Sequence, residues 1–469
     1  MALKTRSQGT GSSDPYDSKF LKGVAISVWQ NSCDDQLSNW SRYAYSRWPF
    51  THFGLVGTTK GKYKIGNSCN FWERYREDIQ LAHDVGSNTF RFSFEWGRIE
   101  PTHGVIDPAA IKRYHEMLDA MEELGIEPNA TLHHFTHPIW FEDKGGFEKE
   151  ENIEFFVEYS RIIFREFGKR IKLWATFNEP TCYTFLAYIG AMAPPGYIGN
   201  MITAGRVLHH MLKAHTAAYH AMKAMEGGSG AQIGLVHHHI TFKSRGDNIL
   251  NYPVKWVCGW MEYWWGWDVV DHWMLTGEFV WKVPVVGTWI KEKDPDGKPP
   301  CDWWGINYYS RVVLNWLFQT TGFQGEVMTD MYYPIYPEGM YNAIKRSSKY
   351  GIPMYITETG IADSKDDRRS VMIESYYKAV LQALADGYDV RGFYYWTLVD
   401  NFEWAVGYTM RFGLYRWEAD GSADRVLREG SKALVKLFKT LPDNLEKLKA
   451  VAIQSSKKGW SDLGLSGYA

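Results

Sequence analysis

The chain has 469 residues, a formal net charge of −2, 45% hydrophobic and 23% charged residues. That balance supports a large buried core without cross-links, and it excludes the basic surface that nucleic acid or an anionic membrane would require. Aromatic residues make up 16%, enough both to pack a core and to offer flat apolar rings to the C–H faces of a pyranose. Five widely spaced cysteines without a CxxC pair point to neither a disulfide framework nor a zinc site. No run of about 18 apolar residues predicts a membrane span. The N-terminal segment has no apolar signal region, so a cytoplasmic location is expected.

Residues 1–18 are polar and Ser/Gly-rich and are expected to be a disordered lead-in, with 19–469 forming one catalytic domain. Eight short apolar runs follow in order: Gly23–Trp29, Asn88–Trp96, Glu127–Phe135, Lys172–Pro180, Gln232–His239, Trp303–Ser310, Met354–Gly360 and Gly392–Asp400. They are nearly continuously apolar rather than alternating, as in a parallel sheet covered on its outer face. Amphipathic stretches at Phe71–Val85, Ala109–Leu124, Glu154–Phe167, Ala204–Met225, Met340–Lys349 and Met372–Ala385 lie between them. Eight strand–helix alternations predict an α/β fold, a single (β/α)8 TIM barrel. A doubly wound sheet would need a GxGxxG turn after the first strand, and none is there. Segments near 240–300 and 311–335 are expected to be inserted loops, and the tail after Leu445 peripheral.

Barrels keep their chemistry at the C-terminal ends of the strands. There the sequence places Arg91, His133-His134, Asn178-Glu179, Asn307-Tyr308-Tyr309, Glu358 and Trp396, with Glu403 and Trp404 just beyond. Glutamates ending the fourth and seventh strands face each other across a barrel. That is the pair needed to cleave a glycosidic bond through a covalent intermediate. An arginine beside one carboxyl would keep it ionised, and poorer solvation would keep the other protonated.

These segments resemble family 1 glycoside hydrolases from about Phe20 to Trp417. The resemblance is carried by FRFSFEWGRIEP (Phe90–Pro101), WATFNEP (Trp174–Pro180), DWWGINYY (Asp302–Tyr309), YITETG (Tyr355–Gly360) and YYWTLVDNFEWAVGYTMRFGL (Tyr394–Leu414). It implies an O-glycosyl hydrolase with Glu179 as acid/base and Glu358 as nucleophile. It further implies that Arg91 and Tyr309 hold the nucleophile and that Asn178 bonds the sugar 2-hydroxyl. Gln30, His134, Glu403 and Trp404 would bind the sugar, Trp396 would floor the ring, and Phe412 would line the same pocket. No cofactor or metal is implied, and the expected partner is a small β-glycoside.

The chain departs from the family at several points. Phe135 stands where Trp is usual, which removes an indole N–H and costs about 1 kcal/mol or more of sugar recognition. Thr359 replaces Asn, Thr136-His137 replaces Asp-Leu, and Tyr333 stands where many members carry Trp at the aglycone entrance. Glu179 excludes the thioglucosidase branch, which has Gln there. FEWAVGY lacks the Ser-x-Lys-Tyr clamp of phospho-glycosidases. The expected activity is retaining hydrolysis of terminal β-glucosides, with β-galactosides or β-fucosides as alternatives. Its rivals are transfer of the sugar to an alcohol, sugar or lipid acceptor, and a silent sugar-binding barrel; both glutamates being present disfavours the latter. The triplet His237-His238-His239 alternates faces along a strand, so its members are not expected to converge on a metal. Trp256, Trp260, Trp264 and Trp267, at helical spacing, are expected to pack as core or loop support.

Overall fold

Eight parallel strands close into one barrel, each bonded to its neighbours in sequence and the first to the last. The computed structural model describes residues 18–33, 35–45 and 65–465, so the proposed lead-in lies outside the described residues except for Ser18. The barrel strands are β1 (Leu21–Ala25), β2 (Thr89–Ser93), β3 (Glu127–His133), β4 (Leu173–Asn178), β5 (Gln232–His238), β6 (Trp303–Asn307), β7 (Met354–Thr359) and β8 (Val390–Trp396). Each matches one of the eight runs. Their residues are almost all buried because the inner face packs on itself and the outer face on helices. Trp174, Trp303 and Trp304 are fully buried in the wall. Each removes roughly 150–250 Å² from water, which makes them major contributors to the core.

The first run divides. β1 ends at Ala25, and Val28–Ser32 is a short helix capped by the Ser27 side chain, which accepts from the Gln30 amide. A hydroxyl placed there satisfies one orphan N–H of the first turn, which is why the chain leaves the sheet early. Gln30 therefore sits on a helix and not at a strand end.

The segments expected to be loops are largely ordered. Residues after β5 form a strand at Thr241–Ser244, helices at Tyr252–Met261 and Asp268–Thr276, and a hairpin of Glu278–Val283 with Gly287–Lys293. Thr241–Ser244 pairs in parallel with Arg311–Leu314 from the segment after β6, joining the two insertions into one small sheet. The tail is not peripheral either. Leu445, Leu448 and Ala452 on the helix Leu445–Lys457 are buried, because this helix covers apolar surface that the helix Arg369–Ala385 turns away from the barrel.

At the lower end of the barrel Lys22 fixes this tail. Its buried Nζ donates to the carbonyls of Phe438 and Leu441 and pairs with Asp443 at 2.5 Å. Lys22→Met leaves those carbonyls without a donor, and the expected loss is about 2–3 kcal/mol of stability. Chemical denaturation measures this, and activity at the opposite end of the barrel is expected to be unchanged.

Candidate active site

At the upper ends of β4 and β7 the regular ladder breaks. The register shifts between Ala175 and Asn178 against β5, and between Ile356 and Glu358 against β6. Such irregularities re-aim side chains, and here they turn Asn178 and Glu358 into the barrel mouth. Glu179 follows directly with φ 48° and ψ 58°. A left-handed backbone costs a β-carbon residue about 1–2 kcal/mol, and it is held by the Glu179 N–H bond to the Val236 carbonyl at 2.9 Å. Phe135 and Trp404, also at the mouth, share this conformation with φ 70° and 43°. Gly360 has to be glycine. A β-carbon there would lie 1.9 Å from the Trp396 carbonyl, so only a bare backbone lets β7 bring Glu358 against the end of β8.

The side chains brought together form one hydrogen-bonded chain. Arg91 donates through one nitrogen to Glu358 Oε1 at 2.5 Å and through the other to Asn178 Oδ1 at 2.8 Å. Asn307 Nδ2 donates to Asn178 Oδ1 at 3.0 Å and to Glu179 Oε1 at 2.7 Å. Thr357 Oγ1 orients Asn307 through its Oδ1 at 2.7 Å. Tyr309 donates to Glu358 Oε2 at 2.8 Å, and its own carbonyl is held by the Tyr376 hydroxyl at 2.6 Å. Glu358, Arg91, Asn178, Asn307 and Glu179 are thus linked without a gap.

A cavity of about 260 Å³ opens between the two carboxyls. Its wall includes His134, Asn178, Glu179, Tyr309, Glu358 and Trp396, and Glu403, Trp404 and Phe412 complete the same lower part. The His134 ring stacks near Trp396 at 5.8 Å, and Phe412 meets Tyr309 edge-on at 5.9 Å. Trp404 lies parallel to Trp29, with ring centroids 5.4 Å apart and planes 2° apart. His134 and the Asn178 amide meet at 3.2 Å through His134 Nε2, so Nε2 accepts and the proton lies on Nδ1, which has no partner among the described residues.

Two expected residues do not reach the wall. Arg91 lies behind Glu358, as expected for a group that holds it. Gln30 lies behind Glu403, donating to Glu403 Oε2 at 3.3 Å and to the Phe402 carbonyl at 3.1 Å. Its Oε1 is buried and has no partner among the described residues. Asn307, which bonds Glu179, and the cavity residues Cys182, His238 and Trp265 are part of the site, although none of them had an expected role. Asn307 stood at a strand end and was discoverable there. Trp265 belongs to an insertion that no periodicity links to the barrel. His237 and His239 face away from the cavity, with His237 bonded to the Gly266 carbonyl. His133 is buried and bonds His137 at 3.2 Å.

Burial pushes the Glu179 carboxyl up to about 7, against which Asn307, Cys182 and Arg91 act. Burial also raises Glu358, opposed by the Arg91 charge, reinforced by the Glu179 charge, and opposed again by the Tyr309 and Arg91 hydrogen bonds. Both groups rise to about 7, because removal from water outweighs the single guanidinium beside Glu358. What differs is the donors. Glu358 has a cation and a phenol, together about 3 kcal/mol for the ionised form, whereas Glu179 has mainly one neutral amide worth about 1 kcal/mol. A difference of about 2 kcal/mol exceeds tenfold, so the proton the pair shares near neutrality rests on Glu179. Glu403 is raised to about 8 by burial and by the Glu358 charge, opposed by hydrogen bonds with Trp396 and Gln30.

The family model described as Glycosyl hydrolase family 1 matches residues 13–441, and the chain belongs to that family. It is an O-glycosyl hydrolase of the β-glycosidase type. It is 28% identical to a beta-galactosidase of Pyrococcus woesei, over 92% of this chain and 97% of the relative. It is 29% identical to beta-glucosidase A of Thermotoga maritima, over 76% and 84%. Among solved structures, a beta-glycosidase from Pyrococcus horikoshii superimposes with a TM-score of 0.76 at 32% identity, covering 92% and 97%. The Thermotoga maritima beta-glucosidase in complex with glucoimidazole gives 0.76 at 25% identity, covering 90% and 98%. No helix among the described residues is long and apolar enough to cross a membrane.

The mutual repulsion of the carboxyls can be read directly. In Glu358→Gln the negative charge that Glu179 would have to ionise against is gone, so the Glu179 titration is expected to move to lower pH, and carboxyl-carbon NMR of labelled glutamate measures the direction.

Proposed function

We propose that this enzyme hydrolyses terminal β-D-glucosides, with β-galactosides as secondary substrates, by double displacement with retained configuration. The observation that carries the reading is the unequal pairing of two buried glutamates across one cavity. Ionised Glu358, held by Arg91 and Tyr309, attacks the anomeric carbon. The glycosidic C–O bond breaks as Glu179 gives its proton to the leaving oxygen, and the aglycone departs as an alcohol. Water then attacks the same carbon, its proton passes to Glu179, and the ester to Glu358 breaks to release the β-sugar. Retention by direct attack needs carboxyls roughly 5–5.5 Å apart, and the linkage of both through Asn178 and Asn307 supports that closeness.

Asn178 Nδ2 is proposed to turn from His134 to the sugar 2-hydroxyl, leaving the His134 ring to bond another hydroxyl. Trp396 would lie under the ring, Glu403 and Trp404 would take the outer hydroxyls, and Phe412 would pack beside Tyr309. Phe135 offers no N–H, so a hydroxyl that a tryptophan would bind is left to water or His134. Barrel, insertions and tail are proposed to act as one catalytic domain. Transfer to an added alcohol would use the same intermediate.

Glu358→Gly is expected to lower kcat/KM on nitrophenyl β-glucoside by about 10⁴-fold or more, with azide restoring turnover and yielding the α-glycosyl azide. A β-azide, or no rescue, would overturn the assignment of Glu358. Tyr309→Phe removes a hydrogen bond that favours ionised Glu358, so its pKa rises and the acidic limb of the kcat/KM profile moves to higher pH. Glu179→Gln is expected to abolish the basic limb, with a much larger loss on methyl than on dinitrophenyl glucoside, whose leaving group needs no proton.

A further inference from the structure

Above the two glutamates the cavity changes character. Its outer wall is built from Leu186, Ile240, Trp265, Val312, Met331 and Val406. The polar side chains among them are nearly all engaged. Ser310 donates to the Pro334 carbonyl. Arg311 pairs with Glu326 and lies 3.7 Å above the centre of the Tyr336 ring. Cys182 is hydrogen-bonded with Glu179. His238 Nδ1 accepts from Trp265 Nε1 at 3.0 Å. Among the described residues this leaves the Tyr333 hydroxyl, the second nitrogen of His238 and the buried Arg311 Nε as the polar atoms without a hydrogen-bond partner in this half.

A second sugar seated here would bring several hydroxyls into a mostly apolar region with few free polar atoms to satisfy them. Each buried hydroxyl left unpaired costs about 1–3 kcal/mol. A hydrocarbon has no such cost and gains from every methylene it removes from water. The apolar path also continues outward. The strand Arg311–Leu314, which carries Val312 on the wall, runs into a turn that exposes Trp316, Leu317 and Phe318. That turn is rigid, because Asn315 Oδ1 accepts from the backbone of Leu317 and Gln319. Beside it, across the strand Thr241–Ser244, the chain goes on to exposed Ile249 and Leu250.

We propose that the natural aglycone is a hydrocarbon chain and that the substrates are amphiphilic β-glycosides, not disaccharides. The proposal rests on the glycosidase reading above and assigns the outer half of the same site.

The test is a homologous series of alkyl β-glucosides, methyl to hexyl, kept below micelle-forming concentrations and set beside cellobiose and nitrophenyl glucoside. The expected result is a kcat/KM that climbs by up to about fourfold per methylene, with cellobiose poorer than hexyl glucoside by about tenfold or more. In Val312→Asn, and separately in Met331→Gln, the climb flattens while kcat/KM on methyl glucoside stays within about twofold of wild type. A flat wild-type series, cellobiose outperforming hexyl glucoside, or both variants keeping the full climb would overturn the aglycone assignment. An enzyme that cleaves the series without a slope leaves the glycosidase reading standing. One that cleaves none of these compounds, nitrophenyl glucoside included, removes that reading and this one together.

Discussion

A buried guanidinium set against a buried carboxylate organises this molecule. Arg91 and Glu358 are both almost completely removed from water, and neither would be tolerated there alone. Once they are paired, the second nitrogen of Arg91 fixes Asn178, Asn178 and Asn307 fix each other, and Asn307 fixes Glu179. The cation is spent on one carboxylate. A second negative charge in the same cavity has no comparable partner, so the other glutamate keeps its proton. The division of labour between two chemically identical side chains follows from the position of a single arginine.

The barrel makes this arrangement affordable because the residues involved come from β2, β4, β6 and β7, whose ends it holds rigidly around one mouth. Backbone strain concentrates in the same place. Glu179, Phe135 and Trp404 adopt left-handed conformations where the loops turn inward, and the surrounding sheet and aromatic packing over-determine them. The insertions after β5 and β6 supply the outer wall. They form a small sheet of their own beside the cavity.

The barrel and the two glutamates were legible in the sequence because eight apolar runs alternate with amphipathic stretches and because chemistry gathers at their ends. Arg91, Tyr309, Trp396, Glu403 and Phe412 were legible through family motifs, and they do gather at one mouth. The end of the first run was read as strand because its apolar residues run on past Ala25, where Ser27 caps a short helix that carries Gln30. The insertions and the tail were misjudged for a related reason. Thr241–Ser244 finds its partner some seventy residues away at Arg311–Leu314, and Leu445 is buried against a helix whose outer face looks solvent-directed when read alone. Trp265 was invisible as a site residue, since only the folded insertion brings it to the cavity, whereas Cys182, three residues past Glu179, and His238, at the end of β5, stood beside strand ends without a motif to mark them. The upward shift of Glu358 depends on burial, which no motif encodes.

In the proposed mechanism Glu358 becomes covalently bonded to the sugar while Glu179 handles the proton. An activated 2-deoxy-2-fluoro-β-glucoside, which forms the intermediate faster than water can resolve it, tests this directly. The account predicts inactivation with one sugar per chain and, after digestion, the added mass on the peptide containing Glu358. Label on any other carboxylate, or turnover without trapping and with the α-sugar released first, would contradict it.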